Sequence, residues 1–222
     1  MSRLELLGGL ATIATLLAAS TDLRAQATPP PVEIEIEDDD GVEAMRSRVF
    51  AFVAALAEYT VDVRVGKPEL EAVLTHYVAL EEIHGDDDPG EVVERAFRDG
   101  RYDFGVIVND PSYVGWCRAR GLEPEPFFRG LLRLEALRMR EEGLAGLEVA
   151  REELPAQRAE LQSMRQELGE EAYHEGVVAL EAAAEMVEET RELMSALPQP
   201  SQEEERLLRA NRGRIQHVLD GE

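Results

Sequence analysis

Lysine, aromatic residues and cysteine are scarce in this 222-residue chain. Lys67 is the only lysine, and 23 basic residues stand against 46 acidic ones, so the formal net charge is −23. Phosphate recognition needs clustered cations, so such a surface is expected to repel nucleic acid and anionic lipid. Cys117 is the only cysteine, so no internal disulfide can form and the fold must rest on its apolar core.

Sequence motifs of the common enzyme classes are also missing. The chain has no phosphate-binding glycine loop, no G-x-S-x-G nucleophile turn and no H-E-x-x-H zinc motif. Paired acids occur throughout the chain, so no pair stands out as a general acid and base. These absences favour a non-catalytic protein, and nothing in the sequence indicates a cofactor.

The first residues have the pattern of an export signal. Arg3 precedes an apolar run over residues 6–19, and Ala25-Gln26-Ala27 resembles a cleavage site. The run is too short for an ordinary membrane span. The sequence therefore predicts a signal peptide over 1–27 and a periplasmic or secreted protein with no membrane insertion beyond the signal. Glu5 weakens the pattern, which leaves an uncleaved anchor as the alternative.

The rest of the chain has the composition of a helical protein, since leucine, alanine and glutamate dominate. Residues 28–41, rich in proline and acid, are predicted as a linker, with a short edge strand as the alternative. A single helical domain follows over 42–222. We expect an all-α fold in which short helices (42–121) pack on a long, kinked, antiparallel helical hairpin (122–197), and a C-terminal helix (201–219) caps the hairpin.

Apolar spacing and capping signals place the short helices. A 3,4 repeat predicts a first helix over about 42–61, and a second begins at Pro68 and ends at Gly85. A third, short helix after Pro89 holds Phe97. Residues 100–109 are the least helical stretch and are expected as a turn, a strand-like run or a buried loop. The next helix begins at Asp110-Pro111 and stops at Gly121.

Leucine heptads and breaker residues describe the hairpin. Leucines recur every seven residues from Leu147 to Leu168, as in a coiled coil. Pro155 and Gly169 are the two candidate positions for the reversal, and the sequence does not decide between them. Ser201 with Glu204 forms a capping box for the last helix.

Two Glu-x-x-His pairs raise the question of a di-iron site, which uses such pairs on inward helix faces. Glu171 and His174 project away from the apolar seam of their helix at about 100° per residue. Glu81 and His84 face the apolar side of theirs, so a shared interior site is excluded. The first pair is interpreted as a solvated face. Glu81 and His84 remain candidates for a ligand or partner contact.

Runs of aspartate invite a calcium interpretation. Calcium-binding loops of the EF-hand type alternate their ligands, and consecutive aspartates do not match that spacing. Helix capping explains the run at 86–88 better. Asp86, Asp87 and Asp88 are kept only as weak metal candidates, and no metal site is predicted.

The densest aromatic patch in the sequence has two interpretations. Tyr113, Trp116, Phe127 and Phe128 either form a groove that contacts a ligand or partner, or form the core that joins the short helices to the hairpin. The scarcity of aromatic residues favours the core. Cys117 beside them is interpreted as a small apolar core residue.

The combined features predict an exported, non-catalytic helical protein that acts through protein–protein interaction, as a chaperone-like protein or an envelope adaptor. The partner protein and the oligomeric state are not predicted. One alternative is an acidic module that binds divalent cations or cationic ligands. A second alternative is an enzyme without a recognisable motif, built around Glu81, His84, Tyr113 and Cys117.

Overall fold

The structure is a computed structural model that describes the backbone over 39–82 and 96–219, and side chains over 46–80 and 96–219. The predicted signal peptide, His84 and Asp86–Asp88 therefore lie outside the described residues, as does the linker up to residue 38. The described helices are α1 Asp39–Thr60, α2 Lys67–His76, α3 Phe104–Val108, α4 Pro111–Ala119, α5 Pro124–Ser163, α6 Arg165–Ala196 and α7 Gln202–Leu219. A 3-10 helix (Val78–Glu82) and strands β1 (Phe97–Arg98) and β2 (Arg101–Tyr102) complete them.

The expected all-α fold is confirmed. Short helices come first, the two long helices α5 and α6 pack against each other, and α7 follows at the C-terminal end. The seam of α5, in which apolar residues recur at steps of three and four, is buried throughout. Its members are Phe127, Leu131, Leu134 and Leu137.

The first two helices depart from the prediction at their ends. Helix α1 begins at Asp39, inside the predicted linker. Helix α2 starts at Lys67, next to the predicted Pro68, but the prediction that it continues to Gly85 is wrong. A tertiary contact gives the reason: the Trp116 Nε1–H donates to the Ala79 carbonyl oxygen at 3.1 Å, within the 3-10 helix that follows.

A tight β-hairpin replaces the C-terminal part of the predicted third helix. Phe97 lies in β1 and pairs with Tyr102 in β2. Asp99 and Gly100 form the turn with φ values of 51° and 74°, as a two-residue turn of this hand requires. The stretch 100–109 therefore contains the strand-like run that was expected, and also the short helix α3, which was not.

Helix α4 follows its predicted signals closely. The Asp110 side chain accepts hydrogen bonds from the backbone N–H groups of Ser112 (2.9 Å) and Tyr113 (3.3 Å), which makes it the N-cap. Gly121 has a φ of 69°, the left-handed conformation that ends a helix. These local contacts fix the orientation of α4 against the start of α5.

The long hairpin reverses at Gly169, one of the two predicted positions. Pro155 lies inside α5 and does not end it. Gly169 has φ 82° and ψ 167°, a conformation that only glycine adopts readily. Contacts across the hairpin, such as Leu161 with Gly176 and Arg158 with Glu181, are placed symmetrically about residues 168 and 169.

Burial falls steadily along the hairpin. Leu147 is buried in the core, Leu154 and Leu161 are half-buried, and Leu168 is 39% exposed. None of residues 151–186 belongs to the apolar core of the described chain, and Leu180 alone among them is buried. We call 151–186 the arm. Its helices extend roughly 25 Å beyond the core at 1.5 Å per residue.

Helix α7 packs against the core. We call the described chain outside the arm the body. Leu208, Ile215 and Val218 turn toward the core. The Arg214 guanidinium joins α7 to α2 by donating to both carboxylate oxygens of Glu71 at 2.8 Å. None of the described helices is long and apolar enough to cross a membrane.

Candidate functional site

The predicted aromatic patch forms part of the core. Tyr113, Trp116, Phe127 and Phe128 are all at least 92% buried. They belong to one network of contacting rings, with centroids 4.9 to 6.5 Å apart, that includes nine of the chain's 12 aromatic residues. The other five members are Phe52, Tyr59, Phe97, Tyr102 and Phe104. The network joins α1, the β-hairpin, α3 and α4 to α5, which is the position of a core and not of an open groove.

Polar atoms within this network have partners. The Tyr113 hydroxyl donates to the Pro124 carbonyl oxygen at 2.9 Å. Burial raises the pKa of Tyr113, and it also raises the pKa of the Cys117 thiol, which is fully buried. A thiol of raised pKa carries little thiolate, so Cys117 has the properties of a packed core residue and not of a nucleophile.

The polar candidate site residues singled out in the sequence are either exposed or outside the described residues. Glu171 and His174 are exposed on the arm, as their angular positions predict. Glu81 lies in the 3-10 helix, and its side chain, like His84 and Asp86–Asp88, is outside the described residues. Across the described residues, no group of three or more histidine, cysteine, aspartate or glutamate side chains is placed to hold a metal ion.

A buried ion pair, absent from the predictions, lies where α5 meets α7. The Arg133 side chain is fully buried and donates to both carboxylate oxygens of Glu204, from Nε at 3.0 Å and from Nη2 at 3.1 Å. Nη2 also donates to the Gln199 carbonyl oxygen at 2.8 Å. Glu204 accepts further hydrogen bonds from the backbone N–H groups of Val65 (3.1 Å) and Ser201 (2.8 Å). Both charges are therefore satisfied, as burial requires.

Of the two residues in this ion pair, Glu204 is indicated by a sequence signal. The predicted capping box is present, since the Glu204 N–H donates to Ser201 Oγ at 3.2 Å while the Glu204 carboxylate accepts from the Ser201 N–H. The same carboxylate thus caps α7 and neutralises Arg133. It joins the segment after α1, the start of α7 and the N-terminal third of α5 at one point.

The protonation of Glu204 gives a test of this contact. Burial acts to raise the pKa of Glu204, but hydrogen bonds from Arg133, Ser201 and Val65 outweigh it and lower the pKa to about 2. A lowered folded-state pKa means that the stabilisation is complete above the ordinary value of 4.5 and is lost as pH falls toward 2. Glu204→Gln should therefore lower the free energy of unfolding by about 2–3 kcal/mol at pH 7, and by almost nothing near pH 2.

Urea unfolding of both proteins from pH 7 to pH 2 measures this difference directly. Comparing two proteins at each pH cancels the titration of the other carboxylates. The control is Glu188→Gln, which removes an exposed partner of Arg191 and should change stability by less than about 0.5 kcal/mol at every pH. A Glu204→Gln difference that is independent of pH would contradict the lowered pKa.

Arg140 anchors the far end of α6 to α5. Its Nη1 lies 3.0, 2.7 and 2.9 Å from the carbonyl oxygens of Met194, Ser195 and Leu197. These carbonyls lie at the negative end of the helix dipole of α6, and the Met194 carbonyl oxygen also accepts from the Leu197 N–H at 3.3 Å. Arg140 therefore ties the C-terminal end of α6 to α5.

The surface of the arm combines exposed apolar side chains with negative charge. The apolar ones are Met164, Leu168, Val178 and Met186, which are 37–52% exposed. Met164 and Leu168 lie beside the reversal at Gly169. The arm contains nine glutamates and three arginines, a net charge of −6.

The geometry thus assigns four predicted site residues, Tyr113, Trp116, Phe127 and Phe128, to the core and leaves the arm mostly exposed. No enzyme constellation assembles within the described residues. Comparison with protein-family models, with curated proteins and with solved structures finds no match for this chain.

Proposed function

We propose that this chain is an exported, non-catalytic protein that binds another protein through its arm. The observation that carries the proposal is the exposure of apolar residues on an element in which only Leu180 is buried. Exposed apolar surface in a soluble protein marks interaction sites when it is not needed for folding. The sequence pattern of residues 1–27 supports export.

The arm has the form of a helical recognition element. Its two helices pair through Leu161, whose methyl groups lie so close to Gly176 that a Cβ there would approach within 2.8 Å. Arg158 and Glu181 form an ion pair, 3.8 Å apart, between the same two helices. These contacts use the inner faces and leave Leu168 and Val178 available to a partner. An amphipathic helix that offers such residues to a groove is a common mode of protein recognition.

Charge restricts the partner. A net charge of −6 on the arm favours a protein whose apolar groove is bordered by arginine or lysine, because opposite potentials steer association. The same charge opposes pairing of the arm with the arm of a second copy. We therefore infer a basic partner surface with an apolar centre.

The test is proximity cross-linking in the native envelope with two matched double variants. Leu168→Asp with Val178→Asp adds two charges to the arm. Val61→Asp with Val78→Asp adds the same charges to exposed valines of the body, at 59% and 49% exposure. Loss of a central apolar contact weakens binding by more than about tenfold, so the arm variant should lose its partner while the body variant keeps it.

The pattern of capture separates the two forms of the proposal. One stoichiometric partner that depends on the arm indicates an adaptor, whereas many unfolded exported proteins that depend on the arm indicate a chaperone-like role. Circular dichroism of both variants checks that the fold is intact. If every captured protein is retained equally by the two variants, the proposal is wrong.

A further inference from the structure

A groove of about 380 Å³ runs between α5 and α7, on the body and away from the arm. Its volume is typical of small-molecule sites. The apolar side chains that line it are aliphatic, and several of them are also core residues that fix its shape. They include Leu134, Leu137, Leu144, Leu208 and Ile215.

Arginines border this groove, and most of them are already engaged. Arg140 holds the carbonyl oxygens at the end of α6, and Arg138 pairs with Glu135 at 3.1 Å. Arg212 reaches Glu141 at 3.5 Å, with both side chains 68% exposed, which is a weak pair. Arg209 is different, because it makes no hydrogen bond or ion pair with any part of the chain that the structure describes.

The Arg209 side chain is exposed at the rim of the groove, so its guanidinium is accessible to a ligand. Guanidinium groups bind carboxylates in a planar, two-pronged geometry. A single anionic group at Arg209 would supply the missing partner. Glu141, Glu142 and Glu205 on the same rim would repel a polyanion such as a nucleotide.

We propose that this groove binds a monoanionic aliphatic amphipath of the fatty-acid class. The carboxylate pairs with Arg209, and the alkyl chain lies on the aliphatic floor. Along α5 that floor runs from Leu134 to Leu144, roughly 15 Å, which suits a chain of about ten carbons. The absence of aromatic side chains from the lining favours an alkyl chain over a ring.

Calorimetric titration of the full chain with decanoate, at concentrations where decanoate is monomeric, tests the assignment. Arg209→Ala should weaken decanoate binding by about tenfold or more, because it removes a charge-assisted hydrogen bond. The matched control is Arg206→Ala, which removes the same charge from the same helix. Arg206 lies outside the groove lining and donates to the Gln202 carbonyl oxygen. The Arg206→Ala variant should bind decanoate with a Kd within twofold of that of the unaltered protein, a difference of at most about 0.4 kcal/mol.

Two further ligands identify the chemistry. Decanol, which has the same chain without the charge, should bind weakly to the unaltered protein and equally weakly to Arg209→Ala. Decyltrimethylammonium should bind no better than decanol. The proposal is overturned if decanoate does not bind, if both arginine variants weaken it equally, or if the cationic ligand binds as tightly as decanoate.

Discussion

Replacing Arg133 by methionine is expected to lower the free energy of unfolding by about 3–5 kcal/mol. The change leaves the Glu204 carboxylate buried without its cation, although Val65 and Ser201 still donate to it. It also removes the donor of the Gln199 carbonyl oxygen. Urea unfolding at pH 7, followed by circular dichroism, measures the loss.

Two controls identify the cause of that loss. Arg191→Met removes the same group from an exposed pair with Glu188 and should cost less than about 0.5 kcal/mol. The double variant Arg133→Met with Glu204→Gln should be more stable than Arg133→Met alone, since it removes the orphaned charge. A double variant whose loss is the sum of the two single losses would show that the groups act independently and would contradict the prediction.

Replacing Phe128 by alanine is expected to cost about 3–5 kcal/mol, because it opens a cavity in a well-packed core. Phe128 is 3% exposed, and its ring contacts those of Tyr59, Phe104 and Tyr113. The ring therefore connects α1, α3 and α4 to α5. Near-ultraviolet circular dichroism should weaken together with stability, because neighbouring rings lose their fixed packing.

Phe50 provides the matched control for this substitution. It lies on α1 outside the core, half-buried, with the Arg46 guanidinium 5.7 Å from its ring centroid. Phe50→Ala should lose less than half as much free energy as Phe128→Ala, at most about 2 kcal/mol. Equal losses at the two positions would mean that the aromatic network is not the structural centre of the body.

Local signals account for the part of the fold that the sequence predicts. The α5 seam, the Asp110 cap and the Ser201–Glu204 box each depend on spacing within one or two helical turns. The Asp99-Gly100 pair is also a local signal, typical of a two-residue hairpin turn. The apolar residues just before this pair have a helical spacing, which predicts a helix where the structure has a hairpin.

Tertiary contacts account for the errors. Nothing near Arg133 in the sequence distinguishes it from a surface arginine, because its carboxylate is 71 residues away. The end of α2 depends on a hydrogen bond from Trp116. The leucines from Leu147 to Leu168 have the same spacing, yet their burial falls because only the first of them reaches the core. Sequence periodicity shows that a face is apolar, but not what covers it.

The candidate sites also divide into features that local sequence predicts and features that depend on tertiary contacts. The helical angles of Glu171 and His174 predict that both are exposed, and they are. Arg209 lacks a partner within the described residues because of the tertiary arrangement of α5 and α7, which also forms the groove. For the proposed function, composition therefore restricts the classes of partner, and the shape of the arm indicates the binding surface.

The distance along the chain between Arg133 and Glu204 also orders events during synthesis. A growing chain contains α5 long before it contains residue 204, and until then the Arg133 guanidinium has no carboxylate to pair with. Burying an uncompensated charge is costly, so α5 cannot settle into its final packing at that stage. Completion of the core therefore requires α7, and it cannot precede the synthesis of residue 204.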